Sequence, residues 1–225
     1  MKLLQLSLKR IEELLSFHFL KGGLIRITMQ NVFKQLVKET ITPLFKAAGF
    51  KKQGNNFAHE CSDFSTTANI QLSKWNTQDE VEFFFNTGIY IEKLFGTVHL
   101  YSKPSFPMVI NSVLQIRGTE LTKNDSWYRL TFDTKELKQM INKDITDYIL
   151  PHFRQFKSIN DVIRIMELRE KDGIYENSHH LTVLYCSIGD LEKAQARMTR
   201  VFDELKLDSQ KEFTTGLAGR LGLRV

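Results

Sequence analysis

Apolar and polar residues alternate with a period of two over 68–74 and 80–92. Ala68, Ile70 and Leu72 alternate with Asn69, Gln71 and Ser73. Val81, Phe83, Phe85, Ile89 and Ile91 alternate with Glu80, Glu82, Asn86 and Glu92. Successive side chains on a strand point to opposite faces, so this pattern predicts an antiparallel sheet with one buried face. Phe50 to Gln53 and Asn56 to Cys61 flank Gly54-Asn55, a favourable hairpin pair. Val113 to Gly118 and Trp127 to Phe132 read as two further strands, joined by a polar turn around Lys123-Asn124-Asp125. Residues 96–110 hold Pro104 and Pro107 and read as an irregular loop.

Helical spacing brackets this region. Leu4, Leu8, Ile11 and Leu15 form a stripe over 3–20, which Lys21-Gly22-Gly23 ends. Over 30–48, Phe33, Leu36, Val37, Ile41, Leu44, Phe45 and Ala48 share one face; Pro43 lies off it and should kink or restart the helix, and Gly49 closes it. From Thr134, Leu137, Met140, Ile141, Ile145, Tyr148 and Ile149 mark another helix with Pro151 near its end. Ser158 caps a helix carrying Ile159, Val162, Ile163 and Met166. Beyond Lys171-Asp172-Gly173, two stripes (Leu181, Leu184, Tyr185, Ile188; then Leu191, Ala194, Met198, Val201, Phe202, Leu205) make a helical hairpin around Gly189-Asp190. Its sequence is similar to one tetratricopeptide-type hairpin, although such units stack in arrays of at least three. The fold class expected is α+β: a sheet of about four to six antiparallel strands packed on helices. It divides into an N-terminal helix (1–28), a body (29–170) and a C-terminal helical extension (171–225).

Composition sharpens this reading in three ways. Hydrophobic residues are 42% and charged residues 25%, values of a globular chain. The net charge is +5, but residues 1–28 carry five basic against two acidic residues, 29–170 eighteen against sixteen, and 171–225 eight of each. The body is nearly neutral, which argues against a duplex nucleic-acid binder, whose affinity comes from neutralising several phosphates together. Cys61 and Cys186 are the only cysteines; so few, so far apart, they read as reduced thiols of a cytoplasmic protein. No apolar run approaches the ~20 residues of a membrane span, and the charged N-terminus lacks a signal peptide's apolar core.

Candidate chemistry is sparse, and no cofactor is expected. His59-x-Cys61 offers two metal ligands where zinc needs three or four, so no metal site is assigned. His179-His180 follow Ser178 at a helix start, which disfavours a protonated imidazole, and read as neutral surface residues. Glu80 and Glu82 share a strand face, whereas glycosidase carboxylates stand across a cleft; they read as a solvated edge. Gly216, Gly219 and Gly222 lie in a helix-like tail without the Lys-Ser/Thr pair of a phosphate loop. The second sheet face is more informative. It carries Asn69, Gln71, Ser73, Phe84, Asn86 and Tyr90, with Lys74, Trp75, Arg117 and Trp127 at its edges. Aromatic anchors among amides suit a recognition surface. Gln71, Lys74, Trp75, Phe84, Asn86, Tyr90, Arg117 and Trp127 are therefore the candidate binding residues, and no catalytic residue is assigned.

Several runs together resemble a bacterial family known as domain of unknown function 4304. They are Phe33-Lys34-Gln35-Leu36-Val37, Thr42-Pro43-Leu44-Phe45-Lys46, Gly49 through Phe57, Ile70 through Asn76, Phe85-Asn86-Thr87-Gly88-Ile89, Gln115-Ile116-Arg117 and Trp127-Tyr128. The similarity covers about 29–170 and implies a compact α+β domain; it carries over no catalytic residue. Lys-Gly-Gly shortly before Met29 is also what a bacterial ribosome-binding sequence encodes, an alternative account of residues 1–28 as untranslated. The function expected is non-catalytic binding of a protein partner, in an immunity-like or toxin-partner role by analogy, or self-association through the helical hairpin. Two other classes stay open: a hydrolase or transferase built around a histidine such as His59 or His99, and binding of single-stranded nucleic acid by base stacking on the aromatics.

Overall fold

The computed structural model describes residues 17–20, 23–26, 28–98, 103–122, 126–174 and 178–225. The predicted stripe at 3–16, the turn at 123–125 and His99 lie outside them. Strands β1 (Phe17–Leu20) and β2 (Gly23–Arg26) pair antiparallel, Phe17 opposite Arg26. Residues 17–20 are thus strand and not the end of a helix. Phe17 and Phe19 alternate with His18, a period of two that the preceding stripe masks in the sequence.

The body begins with helix α1 (Met29–Leu36), which passes through a π-helical turn (Val37–Ile41) into α2 (Thr42–Ala47). Phe33, Val37, Ile41 and Phe45 are all buried and recur every four residues. Four residues of α-helix turn through about 400°, so such a stripe drifts by ~40° per step. The wider π turn absorbs the drift and keeps all four on the core. It also answers Pro43, which sits in the first turn of α2 where its missing N–H is tolerated; the Thr42 N–H donates to Val37 O instead of to Lys38 O. The expected restart at Pro43 therefore occurs as a π turn.

A six-stranded antiparallel sheet follows: β3 (Lys51–Gln53), β4 (Asn56–Glu60), β5 (Ser65–Leu72) and β6 (Glu82–Tyr90), then β7 (Leu114–Arg117) and β8 (Tyr128–Arg129). The strand order is β3-β4-β5-β6-β7, and β8 pairs with the other end of β6. Between β6 and β7 lie α3 (Glu92–Val98) and a 3-10 turn (Val109–Asn111); α4 (Gly118–Leu121) fills the gap between β7 and β8. Residues 96–98 are therefore helical, and Leu94, Phe95 and Val98 are buried. The expected strand 127–132 shortens to two residues: Leu130 N–H still donates to Val81 O, but Phe132 is exposed.

The predicted helix from Thr134 is α5 (Lys135–Asp144), a second π turn (Ile145–Ile149) and α6 (Leu150–Phe153), again with proline just after the π turn. Its buried residues, Leu137, Ile141, Ile145, Ile149 and Phe153, repeat the four-residue spacing. Both broken helices cover the inner sheet face, where Phe33 meets Phe83 at 5.3 Å and Phe45 stacks on Phe57 at 4.4 Å between ring centroids. Phe83, Phe85, Ile70 and Val81 are sealed; Leu72, expected beside them, is 36% exposed at the end of β5. Tyr128 closes this layer, its hydroxyl donating to the buried Asp144 carboxylate at 2.6 Å.

Helix α7 (Ile159–Lys171) starts at Ser158, whose N–H donates to Asp161 Oδ2 at 3.0 Å, and ends where Gly173 takes a φ of 78°. Helices α8 (Ser178–Ser187), α9 (Leu191–Glu204) and α10 (Asp208–Leu221) complete the chain, one helix more than the expected hairpin. Helix α8 packs on α3, α7 and α9, and buried apolar residues form one cluster from Met29 to Ala218. Arg197 of α9, 6% exposed, grips Glu170 of α7 with two hydrogen bonds of 2.6 and 2.9 Å. These bonds hold the Glu170 carboxyl below its ordinary range. His180 is buried and His179 packs on Phe213, so the pair is not on the surface as expected; burial, then Arg197, pushes His179 down.

Candidate functional site

Along β6, the outward residues are Glu82, Phe84, Asn86, Gly88 and Tyr90, and each meets a different neighbour. Glu82 accepts from Arg129 of β8 at 2.8 Å. Phe84 lies beneath the Arg117 guanidinium, 5.1 Å from ring centroid to guanidinium carbon, and edge-on to Trp127 at 4.4 Å. Asn86 Nδ2 donates to Gln71 Oε1 at 2.8 Å. Gly88 lies under Ser112, and Tyr90 packs on Phe95.

The register aligns polar residues across four strands. Asn56 of β4 pairs with Asn69 of β5, Asn69 with Asn86 of β6, and Asn86 with Arg117 of β7. Directly opposed residues point to the same face, so the four form a row across the strands. Asn69 Nδ2 donates to Asn56 Oδ1 at 2.9 Å, and the neighbouring pair is Asn86 with Gln71. Each amide has both donor and acceptor capacity. One bond per pair fixes the orientations; Asn56 Nδ2 also donates to Gln53 O at 3.4 Å, and all four amides line the groove.

The row floors a concavity of about 620 Å³ that Val109, Ile110, Gln115, Ile116 and Glu120 also line. Its wall is the 3-10 turn, which rests on the sheet where β6 has no side chain. A Cβ on Gly88 would stand 2.6 Å from Ser112 Oγ and 2.8 Å from Thr67 Oγ1. Those two hydroxyls are buried and hydrogen-bonded to each other at 2.9 Å, stapling the turn to β5. Ile110, 78% exposed, forms the rim. At the far side, Glu120 Oε1 accepts the Arg117 backbone N–H at 3.1 Å and Oε2 accepts from Arg169 Nη1 at 2.8 Å.

The structure thus brings Gln71, Phe84, Asn86, Arg117 and Trp127 together. Lys74 and Trp75 lie on the turn after β5, the ammonium 5.0 Å from the indole centroid and Trp75 77% exposed. Tyr90 is elsewhere. It is 3% exposed, lines a separate cavity of about 460 Å³ with Cys61, Glu92 and Lys103, and its hydroxyl has no hydrogen-bond partner among the described residues; burial, then Glu92, pushes its phenol up. The floor adds Asn56 and Gln115 and the rim Ile110, none of which sequence pattern singles out. Asn56 directly follows Gly54-Asn55 and reads as turn chemistry. Only the strand register sets it beside Asn69.

Other candidates resolve into structural roles. His59 Nδ1 lies 3.1 Å from Gly49 O and occupies the space over that glycine, whose φ is 87°. Glu80 lies in the turn before β6, and Glu82 is in the Arg129 pair. Cys61 and Cys186 are free. No group of three His, Cys, Asp or Glu among the described residues is placed to hold a metal ion. No described helix is long and apolar enough to cross a membrane.

These features define an α+β domain in which a helix-backed antiparallel sheet turns a polar groove to solvent. A family model described as a domain of unknown function (DUF4304) matches residues 41–155. That is about half the chain, spanning the end of the first broken helix, the sheet and the second broken helix, and the chain belongs to this family. No curated protein and no solved structure matches the chain.

Proposed function

We propose that the protein is a cytoplasmic, non-catalytic binding module that holds an extended segment of a partner polypeptide in the groove of the outer sheet face. The observation that supports this is the amide row Asn56, Asn69 and Asn86, in which Asn69 donates to Asn56 and Asn86 to the adjacent Gln71. A primary amide offers one donor and one acceptor side by side, the same pair that a peptide group presents. The row and Arg117 span four strands, about 14 Å at ~4.8 Å spacing, which an extended chain covers with roughly four residues. The open apolar surface of Ile110 and Trp127 beside the row supplies the anchors that dominate interface energetics.

The test is direct binding between purified proteins. A partner captured from the native cell is purified and titrated against wild type, Asn86→Ala, Trp127→Ala and Ile110→Ala. Each substitution should weaken the complex by more than about 1 kcal/mol, roughly fivefold, with the melting temperature nearly kept. Unchanged affinity in all three would remove the groove from consideration.

A further inference from the structure

Resting on that reading of the groove, we infer that its Arg117 end is a carboxylate subsite and that the partner segment carries an Asp or Glu side chain there. Among the described residues, two charged ones line the groove, Arg117 and Glu120. Glu120 is already compensated: one oxygen accepts the Arg117 backbone N–H and the other takes the Arg169 guanidinium. The Arg117 side chain is exposed and makes no hydrogen bond or ion pair among the described residues. Its one described contact is the Phe84 ring, on which the guanidinium is held. A guanidinium lying over an aromatic face keeps its N–H donors free at its edge, where they match the two oxygens of a carboxylate. The groove therefore presents one uncompensated positive charge at the end of a neutral amide row.

The chemistry of the anion follows from that count. A single guanidinium balances a carboxylate; a phosphate dianion calls for a second cation, and among the described residues no lysine lines the groove. The source of the carboxylate follows from what lies beyond it. The partly exposed Trp127, edge-on to the buried Phe84 ring, extends the surface beside Arg117, so the segment has an apolar platform on which to continue. That geometry suits an acidic residue inside the segment and not a chain terminus. The Phe84 ring, 4% exposed, is fixed from the side by Trp127, so the shelf beneath the guanidinium is set before the partner arrives.

A displayed library of random linear peptides, selected on the full chain, provides the probe. Peptides enriched on wild type should share Asp or Glu at one fixed position. A synthetic copy with that residue replaced by Asn or Gln should bind wild type at least tenfold more weakly, and both copies should bind Arg117→Gln alike. Arg117→Lys should recover part of the discrimination, which a general loss of folding would not allow. Amidating the peptide C-terminus should change affinity less than twofold; a tenfold loss there would overturn the side-chain assignment in favour of a terminal carboxylate. Enriched peptides with no acidic preference, weakened by Asn86→Ala but not by Arg117→Gln, would overturn the carboxylate subsite and leave the groove standing. Peptides that bind Asn86→Ala and Ile110→Ala as they bind wild type would remove the groove and the subsite with it.

Discussion

The two faces of the sheet are built from the same strands, residue by alternate residue, and they follow different rules. Inward, Phe57, Phe83 and Phe85 are large, apolar and sealed beneath two helices. Apolar burial is non-directional, so that face asks for volume and tolerates many ways of filling it. Outward, Asn56, Asn69, Asn86 and Arg117 are polar and placed one per strand. Their pairing depends on direction, because an amide bond of 2.8 or 2.9 Å survives little displacement. The inner face thus carries stability and the outer face carries position.

Substitutions sharpen the contrast, beginning with the largest effect. Phe83→Ala or Phe85→Ala should lower unfolding free energy by about 3–5 kcal/mol in urea titrations. A loss below about 1 kcal/mol would mean that the inner face is not the source of stability. The next effect is set by pH. His152, on the helix α6 that backs the sheet, is buried beside Phe156, and burial, then Arg169, pushes its imidazole down to about 4 from an ordinary 6.5. The folded state therefore resists protonation that the unfolded chain accepts. Its contribution is complete above pH 6.5 and is lost as pH falls toward 4, amounting to roughly 3 kcal/mol. His152→Leu should flatten that part of the stability–pH curve, and an unchanged slope would contradict the burial.

Smaller effects belong to the outer face. Gly88→Ala drives a methyl into Ser112 and Thr67 and should cost about 1–3 kcal/mol. It should also lift the 3-10 turn, visible as altered amide shifts at Val109–Asn111, so this one outer position joins groove shape to stability. Asn86→Ala removes one partly exposed side-chain bond and should cost roughly 0.5–1.5 kcal/mol while weakening peptide capture by about fivefold or more. If Asn86→Ala destabilised as much as Phe83→Ala, the two faces would not divide their roles as described.

The inner face was legible in the sequence because alternating Phe and Ile state both strand and direction over nine residues of β6. The helix at Glu92–Val98 was hidden by Gly96 and Thr97, poor helix formers, although Leu94, Phe95 and Val98 have helical spacing. At the groove, Gln71, Phe84, Asn86, Arg117 and Trp127 could be named because each is an amide, aromatic or arginine on or beside a strand. Asn56, Gln115 and Ile110 could not. Their place depends on which residue faces which across four strands, and on a turn that lands on Gly88. Tyr90 alternates with the rest, but α3 folds back over that end of β6 and Phe95 covers it.

The π turns before Pro43 and Pro151 bear on how this chain can vary in length. Each lets a stripe spaced by four continue on one side of a helix, with Phe45 and Phe153 as its last members. Deleting one residue from Val37–Ile41 would restore ordinary helix and leave everything downstream at nearly the same phase, because four residues of α-helix turn about as far as five of the wider turn. Phe45 would keep its place against Phe57 and Phe85, but the proline would then interrupt an unbroken α-helical ladder. A one-residue gap at Ile145–Ile149, within the stretch that matches the family, should therefore occur together with loss of the proline that follows it. A relative that lacks the proline should be able to lose the extra residue and keep its aromatic stripe on the same side.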